Sequence, residues 1–211
     1  MSLCVTILGC GSSGGVPRAA LGWGACNPDN PKNRRRRCSI LVELRGEEGV
    51  TRALVDAGPD LREQLIGANA DWLDGVLITH EHADHTHGID DLRGFFLRQR
   101  HPLDLYLDEP TSRVMFHRFN YCFVTPPGSN YPPIAREHRV TPGHQVTIKG
   151  RGGVIEALPF LQHHGDIDSL GFRFGKLAYS SDLIDLPDES LLGKHLLETS
   201  ITAEALPLPN P

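Results

Sequence analysis

The chain has 211 residues, a net charge of −5 and a pI near 6.1, so no overall positive field would attract nucleic acid. Its 39% hydrophobic and 22% charged residues are ordinary for a globular protein and exclude a disordered chain, and the length suggests one domain. We find no membrane-length apolar run and no secretory signal, and five irregularly spaced cysteines predict reduced thiols in the cytoplasm.

The first part of the chain alternates strands with turns. The first three predicted strands are rich in β-branched and apolar residues and span residues 3–8, 38–44 and 51–56. A glycine-rich turn, Gly9-Cys10-Gly11-Ser12-Ser13-Gly14-Gly15, follows the first strand and would present backbone N–H groups to a phosphate. Residues 60–70 are predicted to form a helix, with Asp60 as its N-cap.

The second part continues the alternation. Ile89, Leu92 and Phe96 recur at helical spacing, which predicts an amphipathic helix over residues 89–99. Further strands are predicted at residues 103–107 and 154–160. Residues 121–144 contain five prolines and two glycines and are predicted to be irregular. Alternating strands and helices indicate a layered α/β domain.

The most informative stretch is Thr79-His80-Glu81-His82-Ala83-Asp84-His85, directly after the apolar run at residues 75–78. A strand that ends in such a loop aims several ligands at one point. Imidazole and carboxylate together favour a water-bearing zinc, iron or manganese centre, with His80 and His82 on one ion and Asp84 and His85 on a second. Paired metals ~3.5–4 Å apart generate a hydroxide at neutral pH. The alternative is a solvated histidine-rich loop.

The pattern His-x-His-x-Asp-His resembles the signature of the metallo-β-lactamase superfamily. Four further segments resemble superfamily motifs in the same order: residues 5–17, 54–58, 162–165 and 178–182. The first of them is similar to the phosphodiesterase branch, which includes the phosphoribosyl cyclic phosphate phosphodiesterases and, more distantly, the tRNA 3′-end endonucleases (RNase Z). The resemblance implies an αββα sandwich of the metallo-β-lactamase type.

The resemblance also implies a set of site residues. Two divalent ions, zinc or manganese, would be held by His80, His82 and His164 and by Asp84, His85 and Asp182, with Asp182 bridging. Asp56 would support them by hydrogen bonding. His163 competes with His164, because neighbours on a strand point to opposite faces, but the family places its histidine directly before the glycine. Asp182 would alternatively cap a helix.

The function implied by the resemblance is hydrolysis of a small cyclic or nucleotide-like phosphodiester. A metal-bridging hydroxide would attack phosphorus, and Asp84 would orient it. A tRNA 3′-end endonuclease is an alternative, but it would need an extended arm or a basic face to hold tRNA, and neither is apparent. The run Arg34-Arg35-Arg36-Arg37 suggests contact with nucleic acid, whereas the acidic net charge opposes it, and the alternative for this run is a solvated loop. A thioester or lactone hydrolase is a further alternative, and no membrane partner is expected.

The end of the chain departs from the family. We expect residues 1–195 to form the hydrolase domain and residues 196–211 an atypical tail, so that part of the C-terminal layer is lacking. The late histidine of the second metal site is then missing, and His195 is the one candidate to replace it. A metal-binding protein that is inactive through this truncation is therefore another alternative. Apolar surface left exposed would favour a homo-oligomer.

Overall fold

Two β-sheets packed face to face form the centre of the protein. The structure is a computed structural model, and it describes residues 1–191. Six strands form the first sheet, in the order β1 (Ser2–Gly9), β2 (Ser39–Gly46), β3 (Gly49–Val55), β4 (Gly75–Leu77), β5 (Leu103–Leu107) and β6 (Ala135–Arg139). Strands β1 to β3 are antiparallel, whereas β3 to β6 are parallel. The carboxyl ends of β3 and β4 therefore meet at one edge of the sheet.

The second sheet has four strands, in the order β10-β9-β8-β7, and all its pairings are antiparallel. The strands are β7 (Val146–Gly150), β8 (Gly153–His164), β9 (Ile167–Phe174) and β10 (Leu177–Tyr179). Strand β8 is the longest and ends in His163 and His164, so the second sheet carries a histidine pair to the edge where β3 and β4 end.

Five α-helices accompany the sheets within the described residues: α1 (Leu61–Gly67), α2 (Ala83–Thr86), α3 (Arg93–Gln99), α4 (Glu109–Phe123) and α5 (Asp188–Leu191). Single turns of 3-10 helix lie at Pro31–Asn33 and Ile89–Leu92. None of the helices between residues 1 and 191 is both long and apolar enough to cross a membrane.

The layered α/β architecture predicted from the sequence is confirmed. The predicted boundary at residue 195, the residue His195 and the tail lie outside the described residues.

The core consists of two apolar clusters, one on each face of the first sheet. Leu41 and Leu54 point into the cluster that α1, α3 and α4 cover, whereas Val42 and Val55 point into the cluster between the sheets. All four are at most 1% exposed. Because neighbouring strand residues face opposite ways, a strand buried on both faces must be apolar throughout. Each such side chain contributes about 1.5–3 kcal/mol to stability.

One local prediction is wrong, and a second is correct in position only. The region 121–144 is irregular only in part, since α4 continues to Phe123 and residues 135–139 form β6. The polar sequence of β6 concealed a strand that pairs along its whole length with β5 at the edge of the sheet. Asp60 occupies the N-cap position of α1 as predicted, but its side chain makes no capping hydrogen bond. Its carboxylate instead accepts from the backbone N–H and the guanidinium of Arg37, at 2.8 Å each.

Gly58 and Gly88 let three backbone segments meet beneath the histidine loop. A Cβ on Gly58 would lie 2.0 Å from the carbonyl oxygen of Asp84, and one on Gly88 would lie 1.9 Å from that of Gly58. Two backbone hydrogen bonds of 2.8 Å close the junction, from Ala57 to His85 and from Gly88 to Ala57. The loop that carries the histidines is thus packed directly on the turn after β3.

Replacing Gly88 with alanine is expected to destabilise the protein by about 1–3 kcal/mol, because the neighbouring atom is backbone that cannot rotate away. Urea unfolding followed by circular dichroism measures the change. Gly94→Ala is the matched control, since Gly94 lies in α3 and a Cβ added there would meet no atom within 4 Å. It should be neutral or stabilising by up to about 1 kcal/mol. Equal losses in both variants would contradict the packing argument.

Candidate metal centre

The histidine loop starts between the two sheets. Strand β4 is fully buried in the middle of the first sheet, and the backbone N–H of Ile78 still bonds to Tyr106 of β5 at 2.9 Å. One residue later the carbonyl of Thr79 accepts from Leu170 of β9, in the second sheet, at 2.8 Å. The chain then turns through the single helical turn α2, which begins directly after His82. The loop is therefore fixed to both sheets before its ligands emerge.

The first candidate metal site collects ring nitrogens from both sheets. Nε2 of His80 lies 3.0 Å from Nδ1 of His82, which lies 3.3 Å from Nε2 of His164 at the end of β8. Oδ2 of Asp182 is 3.6 Å from the same His164 nitrogen. The four ligand atoms all lie within 4.8 Å of one another. This arrangement suits one metal ion with several imidazole ligands.

The second candidate site adjoins the first and shares Asp182 with it. Nε2 of His85 lies 3.3 Å from Oδ2 of Asp84 and 3.5 Å from Oδ2 of Asp182. These three residues again place ligand atoms within 4.8 Å of one another. Nε2 of His85 is buried and has hydrogen-bond geometry to no group of residues 1–191. A buried ring nitrogen without a partner fits a metal ligand, because a cation would satisfy its lone pair.

Hydrogen bonds from Asp56 and Thr79 hold the rings of His80 and His85 in place. The carboxylate of Asp56 accepts from the backbone N–H of Thr79 at 2.8 Å, and its Oδ1 and Oδ2 lie 3.0 and 3.1 Å from the Thr79 hydroxyl. Nδ1 of His85 lies 2.7 Å from Oδ2. Asp56 itself has a φ of 66°, a left-handed conformation that aspartate tolerates better than most residues.

The contacts of Asp56 and Thr79 determine which ring nitrogen of His80 and of His85 is available to a metal. An ionised carboxylate only accepts, so Nδ1 of His85 donates to Asp56 and leaves Nε2 for a metal. The Thr79 hydroxyl donates to Asp56 and accepts from Nδ1 of His80 at 3.0 Å, which leaves Nε2 of His80 for a metal as well. Burial lowers the pKa of His80 to about 3, so its ring is neutral at pH 7, the form that binds metals.

The second site concentrates negative charge. The neighbouring imidazole of His85 lowers the pKa of Asp84 to about 2 and also lowers that of Asp182, so both are ionised at neutral pH. Burial lowers the pKa of His85, but the charge of Asp56 and the contacts with Asp182 and Asp84 raise it to about 12. Three carboxylates surround this imidazole and hold a proton on its Nε2 when no metal is bound. A metal ion would displace that proton and supply the positive charge instead. The residues present therefore fit divalent metal ions.

The structure distinguishes the two histidines at the end of β8. His164 joins the cluster, as stated above. His163 is exposed, and its Nδ1 lies 2.8 Å from Oδ1 of Asp168 on β9. The helix-cap alternative for Asp182 is wrong, because the next helix, α5, begins only at Asp188. The geometry thus brings together all six residues that the sequence proposed as ligands: His80, His82, Asp84, His85, His164 and Asp182.

Three residues near the site were not identified from the sequence. Thr79 gave no signal apart from its place before the first histidine. Cys38 directly precedes Ser39, whose hydroxyl donates to the backbone carbonyl of Asp56 at 3.2 Å, and burial raises the pKa of the Cys38 thiol to about 11. The hydroxyl of Tyr179 is buried with no hydrogen-bond partner among the described residues, close enough to Asp56 and Asp182 for their charges to raise its pKa further. Such contacts depend on the fold and leave no local pattern.

The two stacked sheets, with the loop of histidines and aspartates between them, form a layered α/β domain that carries a candidate metal centre. The profile of the Beta-lactamase superfamily domain matches residues 51–200. The chain belongs to this superfamily, whose members are hydrolases, and its αββα fold is that of the metallo-β-lactamases.

Similarity to three individual proteins is more specific than the match to the superfamily. A crystal structure of a diphosphatase from the PhnP family is 31% identical and covers 91% of this chain and 70% of its own, with a TM-score of 0.76. A ribonuclease Z from a Bradyrhizobium species is 31% identical over 150 residues, 68% of this chain. An octanoyltransferase from Porphyromonas gingivalis is 31% identical over 187 residues, 88% of this chain. The chain spans only 46% and 36% of the lengths of these last two proteins.

Asp56→Asn is expected to weaken metal binding by about 10–100-fold, because the amide no longer fixes His85 with Nε2 free. Titration of the metal-free protein with zinc against a competing chelator measures the affinity. Asp168→Asn is the matched control, since it alters a histidine–aspartate pair of 2.8 Å that lies outside the cluster. If the two variants bound zinc equally well, Asp56 would not support the site.

His164→Ala should lose metal from the first site, whereas His163→Ala should keep it, because only His164 faces the other ligands. Elemental analysis of both variants, purified without chelator, measures the metal content per chain. The neighbouring positions share the same strand end, so general damage to β8 would affect both. Loss of metal from His163→Ala alone would reverse the assignment.

Proposed function

We propose that the protein is a metal-dependent phosphodiesterase that uses two divalent ions, zinc or manganese, on a small cyclic or nucleotide-like substrate. The observation that carries this proposal is the pair of adjoining ligand groups that share Asp182. A shared carboxylate keeps two cations close together, which is the arrangement suited to displacement at phosphorus. When bound, such ions supply a nucleophilic water at neutral pH and neutralise the charge of the phosphate oxygens.

The protein residues would divide the remaining tasks. His80, His82 and His164 would hold one ion, and Asp84, His85 and Asp182 the other, with Asp182 common to both. Asp84 is only partly buried and ionised, so its carboxylate can accept a hydrogen bond from the attacking water and orient it. The exposed His82 marks the side from which a substrate reaches the centre.

An anionic substrate is favoured by the segment between residues 10 and 38, which holds five arginines and one lysine against a single aspartate. Arg18 lies over Gly14, and its Nη2 donates to the Ser12 hydroxyl at 3.1 Å, so one guanidinium is held against the glycine-rich turn. The thiol of Cys38 donates to the carbonyl of Gly11 at 3.2 Å, and the next residue, Ser39, donates to the backbone carbonyl of Asp56 at 3.2 Å, so the turn is held close to the residue that supports His85. Guanidinium groups are good partners for phosphate.

The relatives support the same interpretation. The diphosphatase of the PhnP family and the ribonuclease Z both carry names of enzymes that break phosphate ester or anhydride bonds, whereas the octanoyltransferase name belongs to a much longer protein. A tRNA 3′-end endonuclease is the second candidate, which the arginines and the ribonuclease Z relative favour. The net charge of −5 favours the smaller substrate.

Hydrolysis of bis(p-nitrophenyl) phosphate by protein loaded with zinc or manganese tests the proposal. We expect turnover with close to two metal ions per chain, and a fall of at least about 100-fold in kcat for Asp84→Asn. Asp91→Asn, an exposed aspartate in the 3-10 turn after the loop, is the control and should keep full activity. Full activity of metal-loaded Asp84→Asn would contradict the role of Asp84.

The alternatives give different results in the same experiment. A metal-binding protein without activity would hold metal and leave the diester intact with either ion. A tRNA 3′-end endonuclease would process a tRNA precursor at rates far above those for the small diester. Either result would replace the function proposed above.

A further inference from the structure

The edges of the two sheets differ in how well they are protected from other strands. In the described part of the chain the edge strands are β1 and β6 in the first sheet and β10 and β7 in the second. Strand β6 carries three charged residues flanking a histidine, β7 carries a lysine, and β10 has three residues. Strand β1 has eight residues, Ser-Leu-Cys-Val-Thr-Ile-Leu-Gly, with no charge and no proline.

An edge strand exposes a row of unpaired N–H and C=O groups. Proteins usually protect such edges with charges, proline, short strands or bulges. Within residues 1–191, β1 pairs with β2 alone, and its one irregularity lies between Ile7 and Gly9, at its far end. The stretch from Ser2 to Ile7 is therefore open to a further strand.

The side chains of β1 match a copy of themselves. Leu3, Val5 and Ile7 share the face that points toward the core between the sheets, since Val5 pairs with Val42 of that core. Leu3 is 44% and Ile7 37% exposed, whereas Val5 is half-buried. In an antiparallel pairing centred on Val5, Leu3 lies opposite Ile7 of the partner subunit. Both exposed apolar side chains are then covered at once.

We propose that two copies of the protein associate through β1, which pairs antiparallel with the same strand of the partner about a twofold axis at Val5. The binding partner best suited to the edge of β1 is a second copy of the chain. A twofold contact requires a self-complementary surface, and Leu3 opposite Ile7 of the partner subunit provides one. The two six-stranded sheets become one continuous sheet of twelve strands. Pairing of single strands buries little area, so the dimer is weak and depends on concentration.

Sedimentation velocity over a concentration series, on protein without an N-terminal tag, tests the interface. The wild-type chain should approach twice its 23.2 kDa mass as the concentration rises. Leu3→Lys and Ile7→Glu should each raise the dimer Kd by at least about tenfold, because each sets a charge against an apolar side chain across the pairing. The double variant Leu3→Lys/Ile7→Glu places opposite charges across the same pairing and should recover most of the affinity.

Leu97→Lys is the matched control, because Leu97 is 54% exposed and lies on α3, in the layer of helices that covers the first sheet rather than in β1. It should leave the Kd unchanged, and circular dichroism of every variant checks the fold. A monomeric wild type at all concentrations overturns the proposal. So does a dimer that survives both single changes, or a double variant that is no better than either single one, which would indicate another occupant or another register.

Discussion

The site depends on one buried carboxylate. Asp56 has no exposed surface, and a charge in such a place is stable only when hydrogen bonds replace its water. It receives them from the backbone and hydroxyl of Thr79 and from His85, so the end of β3 is tied to the loop after β4. The same hydrogen bonds orient the rings of His80 and His85. The contacts that the buried carboxylate needs for stability are therefore also the contacts that position the candidate metal ligands.

The cluster also depends on the contact between the two sheets. The first sheet supplies the loop from His80 to His85, while His164 and Asp182 come from β8 and from the segment after β10. No single sheet would assemble either ligand group. The hydrogen bond from Leu170 to Thr79 joins the sheets within one residue of the first histidine. Whatever loosens the sandwich should therefore separate the ligands before it unfolds the strands.

The sequence predicted what local patterns encode. Residues 103–107 were predicted as a strand and are one, since alternating burial leaves a period-two pattern. The histidine loop was recognised because its ligands are neighbours in the chain. Strand β6 was missed because its polar residues lie at a sheet edge, where pairing with β5 outweighs composition. The roles of Thr79 and Cys38 could not be predicted from the chain, because their partners are brought close only by the fold.

The charge pattern of the chain supports the proposed substrate. Three carboxylates gather around the buried His85 and attract cations. The segment from residue 10 to 38 is rich in arginine, and within it Arg37 is paired with Asp60. A neutral ester would gain little from that basic segment. Under the proposed function, the single charge of a phosphodiester would interact with cations at the centre, and the arginines of this segment are suitable partners for the same phosphate group. The acidic remainder of the chain disfavours long polyanions, and for this reason we propose a small diester rather than tRNA as the substrate.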